Sequence, residues 1–178
     1  MDRTNLQEQL IDHHITFGQC LYDLSESDFL KVQQEKWSAG QQLEHILMSV
    51  KPLSRLLGNK TEVKERFGSL DRESRSYDVL VADYLQVLSE GAKAGPRFTP
   101  EVTPFQRRAA LISELNQHIE SITTHLDHYT EEELDQLVIP HPVMGPFTIR
   151  EMMMFTIYHV QHHLKKVEEN LKNWSGTN

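Results

Sequence analysis

Three histidines fall within five residues in the stretch YHVQHHLKK, Tyr158 to Lys166, at positions 159, 162 and 163. The stretch is otherwise patterned as a helix. At about 100° per residue, His159 and His163 stand one turn apart on one face, their rings about 6 Å from each other. That spacing suits two imidazoles holding one divalent ion, and it equally suits two polar side chains on a histidine-rich helix. Met153, Ile157, Val160, Leu164, Val167 and Leu171 form the core stripe of this helix. Met152, Thr156, His159 and His163 form a second stripe about 90° round from it. A helix in a bundle faces two neighbours, so the second stripe still borders the interior. His162 falls about opposite the core stripe, where solvent is expected.

A third ligand has to come from another helix. His45 lies about 120° from the Leu43, Ile46 and Val50 stripe of its own helix, an offset like that of His159. Three protein ligands and one open position make the arrangement of catalytic zinc sites. The chain holds ten histidines, and the others carry weaker signals. His118, His125 and His128 share one helix without a partner motif and read as surface residues. His13 and His14 are adjacent, so at most one of them looks into the interior. His141 sits in a proline-rich loop near the start of the last helix, within reach of the mouth of such a site. Trp37 and Met152 are candidates to line a pocket, with plain core as the alternative. Glu44 and Glu151 are candidates for an acid–base or supporting role; a solvated helix position and a capping role are the respective alternatives. No separate nucleophile is evident. Cys20 is the only cysteine, lies among apolar residues, and reads as a buried structural side chain.

The elements that must position these residues are helices. Leu6, Leu10, Ile11, His14, Phe17, Leu21 and Leu24 recur at helical spacing and predict a first helix over about 3–24. Ser38 and Gln41 form a capping box that opens a second, with Leu43, Ile46, Leu47, Val50, Leu53 and Leu57 on its apolar face. Pro52 should kink that helix or end its regular part. A third helix is expected over about 104–128, with Leu111, Leu115, Ile119, Ile122 and Leu126 inward. Thr130–Glu133 and Thr148–Glu151 are two further capping boxes, and the second opens the last helix, carried to about Lys172. A shorter helix over 77–88 sits in the long connection between helices two and three. The stretches 91–104 and 140–146 read as loops, and 137–140 is a weak strand candidate. Four long amphipathic helices with one long crossover make an all-α four-helix bundle.

Composition narrows the partners. Eighteen Lys and Arg against 26 Asp and Glu leave a net charge of −8. The densest basic stretches, around 60–66 and at Arg107-Arg108, are short and mixed with acids, so nucleic acid is not an expected partner. No apolar run approaches the length needed to cross a membrane. The start, MDRTNLQEQLIDHH, is too polar for a secretory signal, and a single cysteine implies no oxidising compartment. A cytoplasmic protein is the expectation. Phe29, Phe67, Phe98 and Phe105 look like more apolar surface than a lone bundle needs, which points to a homodimer.

Two stretches resemble the DinB/YfiT-like family of metalloenzymes. WSAGQQLEHI, Trp37 to Ile46, is similar to that family's helix-two motif, an aromatic and a small capping residue followed by a metal-binding histidine. MGPFTIREMMMFTIYHVQHH, Met144 to His163, resembles its helix-four motif, a Gly-Pro turn leading to His-x-x-x-His. The resemblance covers most of the chain in order and spacing, although its middle third carries no motif, and it reads residues 1–178 as a single domain. It implies a four-helix bundle with one divalent ion held by His45, His159 and His163. It also implies a small-molecule substrate and transferase or hydrolase chemistry, thiol S-transferases with a low-molecular-weight thiol among the family's members. Imidazole ligands leave the metal open among zinc, nickel, iron and manganese. A non-catalytic helical protein with a structural or sensory site is the competing class.

Overall fold

A computed structural model of the chain describes residues 1–33 and 36–172. Four long helices make the frame: α1 (Arg3–Tyr22), α3 (Ala39–Leu57), α6 (Arg108–Leu126) and α8 (Ile149–Lys172). Shorter elements lie between them: α2 (Glu26–Leu30), α4 (Lys60–Phe67), α5 (Tyr77–Ser89), α7 (Glu131–Gln136), and a hairpin of β1 (Val138–His141) and β2 (Gly145–Thr148). α1 and α3 each pack against both α6 and α8, which closes the four into a bundle. Each apolar stripe turns inward. Leu6, Leu10, Phe17 and Leu21 of α1 are fully buried, as are Met153, Ile157 and Val160 of α8. Leu43 to Leu57 of α3 and Leu111 to Leu126 of α6 supply the other two walls.

The capping boxes set where the helices begin. The Gln41 amide donates to Ser38 Oγ at 3.2 Å, and the Ser38 amide donates to Gln41 Oε1 at 3.0 Å. Thr130 with Glu133, and Thr148 with Glu151, make the same reciprocal pairs. Each satisfies two amides that a first helical turn leaves unpaired.

Several boundaries differ from the sequence reading. α1 stops at Tyr22, and Ile11 is 41% exposed, because it lies about 100° round from Leu10 and outside the buried stripe. α3 does not end at Pro52 but continues to Leu57; Pro52 is exposed, so water can take up the carbonyl that its missing N–H leaves unpaired. α6 begins at Arg108, after a short 3-10 turn over Phe105–Arg107. The weak strand candidate at 137–140 overlaps β1, and the stretch 140–146, read as a loop, holds the turn of a hairpin and the inner ends of both its strands. Its strands pair Val138 with Thr148, Ile139 with Phe147 and His141 with Gly145. Gly145 has φ +75°, a conformation that side chains disfavour, and this lets the strand turn so soon after His141.

Of the four phenylalanines that suggested a dimer, the chain itself fully buries one and half-buries three. Phe29 is fully buried and meets the edge of Phe105 with ring centroids 5.6 Å apart, while Phe67 and Phe98 are half-buried. No helix among the described residues is long and apolar enough to cross a membrane.

Candidate metal centre

α3 and α8 pack side by side, and their second stripes meet. His45 is 5% exposed, His159 7% and His163 6%. The Nε2 atom of His159 lies 3.2 Å from Nε2 of His45 and 3.0 Å from Nε2 of His163. Among the described residues this is the only group of three or more His, Cys, Asp or Glu whose ligand atoms all lie within 4.8 Å of one another.

The far side of two rings fixes what the near side offers. His45 Nδ1 lies 2.6 Å from the carbonyl oxygen of Phe98, and His163 Nδ1 contacts Oε1 of Gln42. Both partners are oxygen acceptors, so both Nδ1 atoms carry the proton and both Nε2 atoms present lone pairs. These lone pairs converge on the third Nε2. A single proton on His159 could serve one of them in good geometry; a divalent cation serves all three. A tetrahedral ion with bonds of 2.0–2.1 Å sets its ligand nitrogens about 3.3 Å apart, close to the separations found here. The donor set therefore fits a borderline divalent metal such as zinc, nickel or iron, and it also carries the partners that orient ligating histidines.

The rings are also in the protonation state that ligands require. Burial holds the pKa of His45 below the ordinary histidine value. Burial first, then repulsion from neighbouring imidazoles, holds His159 and His163 well below it. Neutral rings keep their lone pairs near neutral pH.

A cavity of about 760 Å³ opens on the triad. Apolar residues dominate its lining: Ile46, Val50 and Leu53 from α3, Tyr84 and Leu88 from α5, and Phe155 from α8. The Phe155 ring stacks on His159 at 4.9 Å, and Tyr84 meets the edge of Phe155 at 5.1 Å. Trp37 lies 4.9 Å from His45 and stacks on His163 at 6.4 Å, and Trp37 and Met152 both line the cavity.

The remaining candidates separate clearly. His162 does not face open solvent: α5 covers that side of α8, Tyr84 meets it at 6.0 Å, and burial pulls its pKa down to about 4. Helix phase gives the direction of a side chain and says nothing of what lies over it. Glu44 points away from the cavity, accepting from Thr103 Oγ1 at 2.5 Å and pairing with Arg107 at 3.3 Å. Glu151 is fully buried and taken up by Arg72, Arg75 and the Thr148 amide, with its pKa held at about 2 by these partners against the opposing effect of burial. It ties the crossover to the start of α8. His141 reaches the cavity wall, stacked on Phe147 at 4.9 Å. His14 lines the cavity too, and His13 does not. Cys20 is half-buried on α1, away from the cavity lining, and burial pushes its thiol pKa up.

His118 and His125 are half-buried on α6, His118 within 3.2 Å of Ser54 Oγ and His125 within 3.1 Å of Ser121 Oγ; His128 is exposed. Gln42 and the Phe98 carbonyl escaped the sequence reading. Gln42 precedes His45 by three residues and so shares its face, the one local clue to its place. Phe98 lies in a stretch with no helical period.

No curated protein matches the chain. Among solved structures, YfiT from Bacillus subtilis is described as a probable metal-dependent hydrolase with an unusual four-helix bundle topology. It is similar over 98% of this chain and 89% of its own, with a TM-score of 0.63 and 13% identity. At that identity the likeness speaks for the fold. The sequence pattern of the DinB superfamily matches residues 9–167, a span that includes most of α1, all of α3 and α6, and the three clustered histidines of α3 and α8. The chain belongs to the DinB superfamily.

Proposed function

We propose that the chain is a divalent metal-dependent enzyme acting on a small molecule, with the ion held by His45, His159 and His163. The observation that carries this reading is the pair of fixed tautomers: the Phe98 carbonyl and Gln42 leave two imidazole lone pairs aimed at a third imidazole nitrogen. When bound, such an ion supplies Lewis acidity, lowering the pKa of a water or thiol or polarising a carbonyl. The protein's own residues do the rest. The apolar lining from α3, α5 and α8 excludes water around the bound molecule and strengthens every polar contact within. His141 accepts the Val143 and Met144 amides at Nδ1, at 3.3 and 3.2 Å, so its proton sits on Nε2 and offers the cavity a donor.

The reaction class we propose is transfer or hydrolysis, with a low-molecular-weight thiol as the acceptor that family resemblance favours. That resemblance is also the ground for proposing a single domain, and the half-buried Phe67, Phe98 and Phe105 are the ground for proposing a homodimer, to be checked by light scattering. The test of activity is thiol conjugation to a reactive electrophile, run beside hydrolysis of an activated ester, on zinc-loaded wild type and on His159→Ala. Turnover of either substrate that disappears in His159→Ala supports the reading. Equal background rates from both proteins, with both correctly folded, contradict it.

A further inference from the structure

His14 stands in a stripe of α1 otherwise made of Leu6, Leu10, Phe17 and Leu21, and it is as fully buried as they are. Its Nδ1 lies 2.7 Å from the carbonyl oxygen of Leu10, one turn back. That oxygen only accepts, so Nδ1 carries a proton, and in the neutral ring Nε2 carries a lone pair. Burial keeps the ring neutral, with its pKa drawn down to about 4. Nε2 is the one buried side-chain nitrogen or oxygen among the described residues that has no hydrogen-bond partner. An unpaired buried acceptor is costly, and a leucine would fill this place in the stripe without that cost.

The ring also has a direction. With Nδ1 turned back onto its own helix, Nε2 is the end of the ring furthest from the α1 backbone. His14 lines the same cavity as His45, His159 and His163, yet it stands outside their cluster of ligand atoms. A charge on His14 is felt at His159, where it opposes protonation. The position is one behind the cavity surface, where a bound molecule reaches Nε2 by displacing the side chains that now close it off from water.

We propose that His14 is a ligand-recognising residue whose Nε2 accepts a hydrogen bond from an O–H, N–H or S–H group of the small molecule bound in the cavity. With the lining of Ile46, Val50, Leu53, Tyr84, Leu88 and Phe155, this describes a ligand with an apolar body and one hydrogen-bond donor. The inference rests on the proposed function only in taking the cavity as the substrate site, and it does not need the ion.

The test compares phenol with anisole, the ether that lacks the donor hydrogen, on the full chain after chelation. Calorimetry gives both affinities, and nitrogen NMR follows the His14 ring. The ratio of phenol to anisole affinity should fall about tenfold on His14→Leu, the worth of one hydrogen bond in a buried site. In the wild type, phenol should shift the His14 Nε2 signal and anisole should not. His14→Gln, which keeps an acceptor, should recover part of the preference. An Nε2 signal that ignores bound phenol, an unchanged affinity ratio in a folded His14→Leu, or binding of neither probe overturns the inference. Because the NMR readout uses wild type alone, a variant that failed to fold would not shield the inference. Zinc uptake by the same preparations separates the two readings. A His14-dependent preference in a chain that takes no zinc sinks the proposed function alone, and zinc uptake without the preference sinks this inference alone.

Discussion

Replacing Gln42 with leucine removes the acceptor behind His163 and keeps a similar helical preference. Gln42 is 2% exposed and His163 6%, so no water can take over the Nδ1 proton. Left unpaired, that N–H costs about 1–3 kcal/mol, and the ring avoids the cost by moving its proton to Nε2. The nitrogen that faced the cluster is then a donor, and binding an ion has to reverse the change. The same size follows from orienting partners elsewhere, whose loss lowers metal affinity about 10- to 100-fold, or about 1.4–2.8 kcal/mol. A competition titration against a chromophoric zinc chelator reads this directly. Gln42→Leu should bind zinc about 10- to 100-fold more weakly than wild type, and Gln42→Glu, which keeps the acceptor, should not show that loss. A Gln42→Leu affinity within about twofold of wild type, in a folded protein, would refute the argument from tautomers.

Three further outcomes follow from the same structure. Chelation should leave the helical circular dichroism in place, because the buried stripes of α1, α3, α6 and α8 hold the bundle without the ion; collapse of the signal would make the site structural. His14 and His141 have folded pKa values near 4 against 6.5 in the unfolded chain, so the unfolded state binds more protons between these values. Stability of the metal-free protein should therefore be full above pH 6.5 and fall as the pH drops toward 4; equal urea midpoints at the two ends of that window would contradict it. Glu151→Gln should cost about 3 kcal/mol in urea denaturation, since Arg72 and Arg75 lose the buried charge between them, while zinc uptake stays unchanged.

The helices were legible because burial writes a period into sequence. Leu111, Leu115, Ile119, Ile122 and Leu126 are buried because a stripe with this spacing can face one side only. The meeting of His45 with His159 and His163 followed from a similar angular offset on two helices that turned out to be neighbours. What lies over a helix follows no such rule. The packing of α5 on α8, which brings Tyr84 against His162, is a contact between distant segments with no shared period. The apolar run 137–140 marked β1 only weakly, and the prolines at 140 and 146 argued for a loop beyond it, while pairing across the turn made two strands of four residues each. Gln42 and the Phe98 carbonyl complete the centre by hydrogen bonds across elements, which a single stretch of sequence does not encode.

The central claim is that His45, His159 and His163 hold one ion. Its most direct test is metal content per chain for the wild type, for His45→Ala, His159→Ala and His163→Ala, and for His162→Ala, measured after loading with zinc and removing the excess. The wild type and His162→Ala should each retain about one ion per chain, and each of the other three should lose most of it. Full zinc retention by His45→Ala, His159→Ala or His163→Ala, or loss of the ion in His162→Ala with His163→Ala unaffected, would contradict the claim.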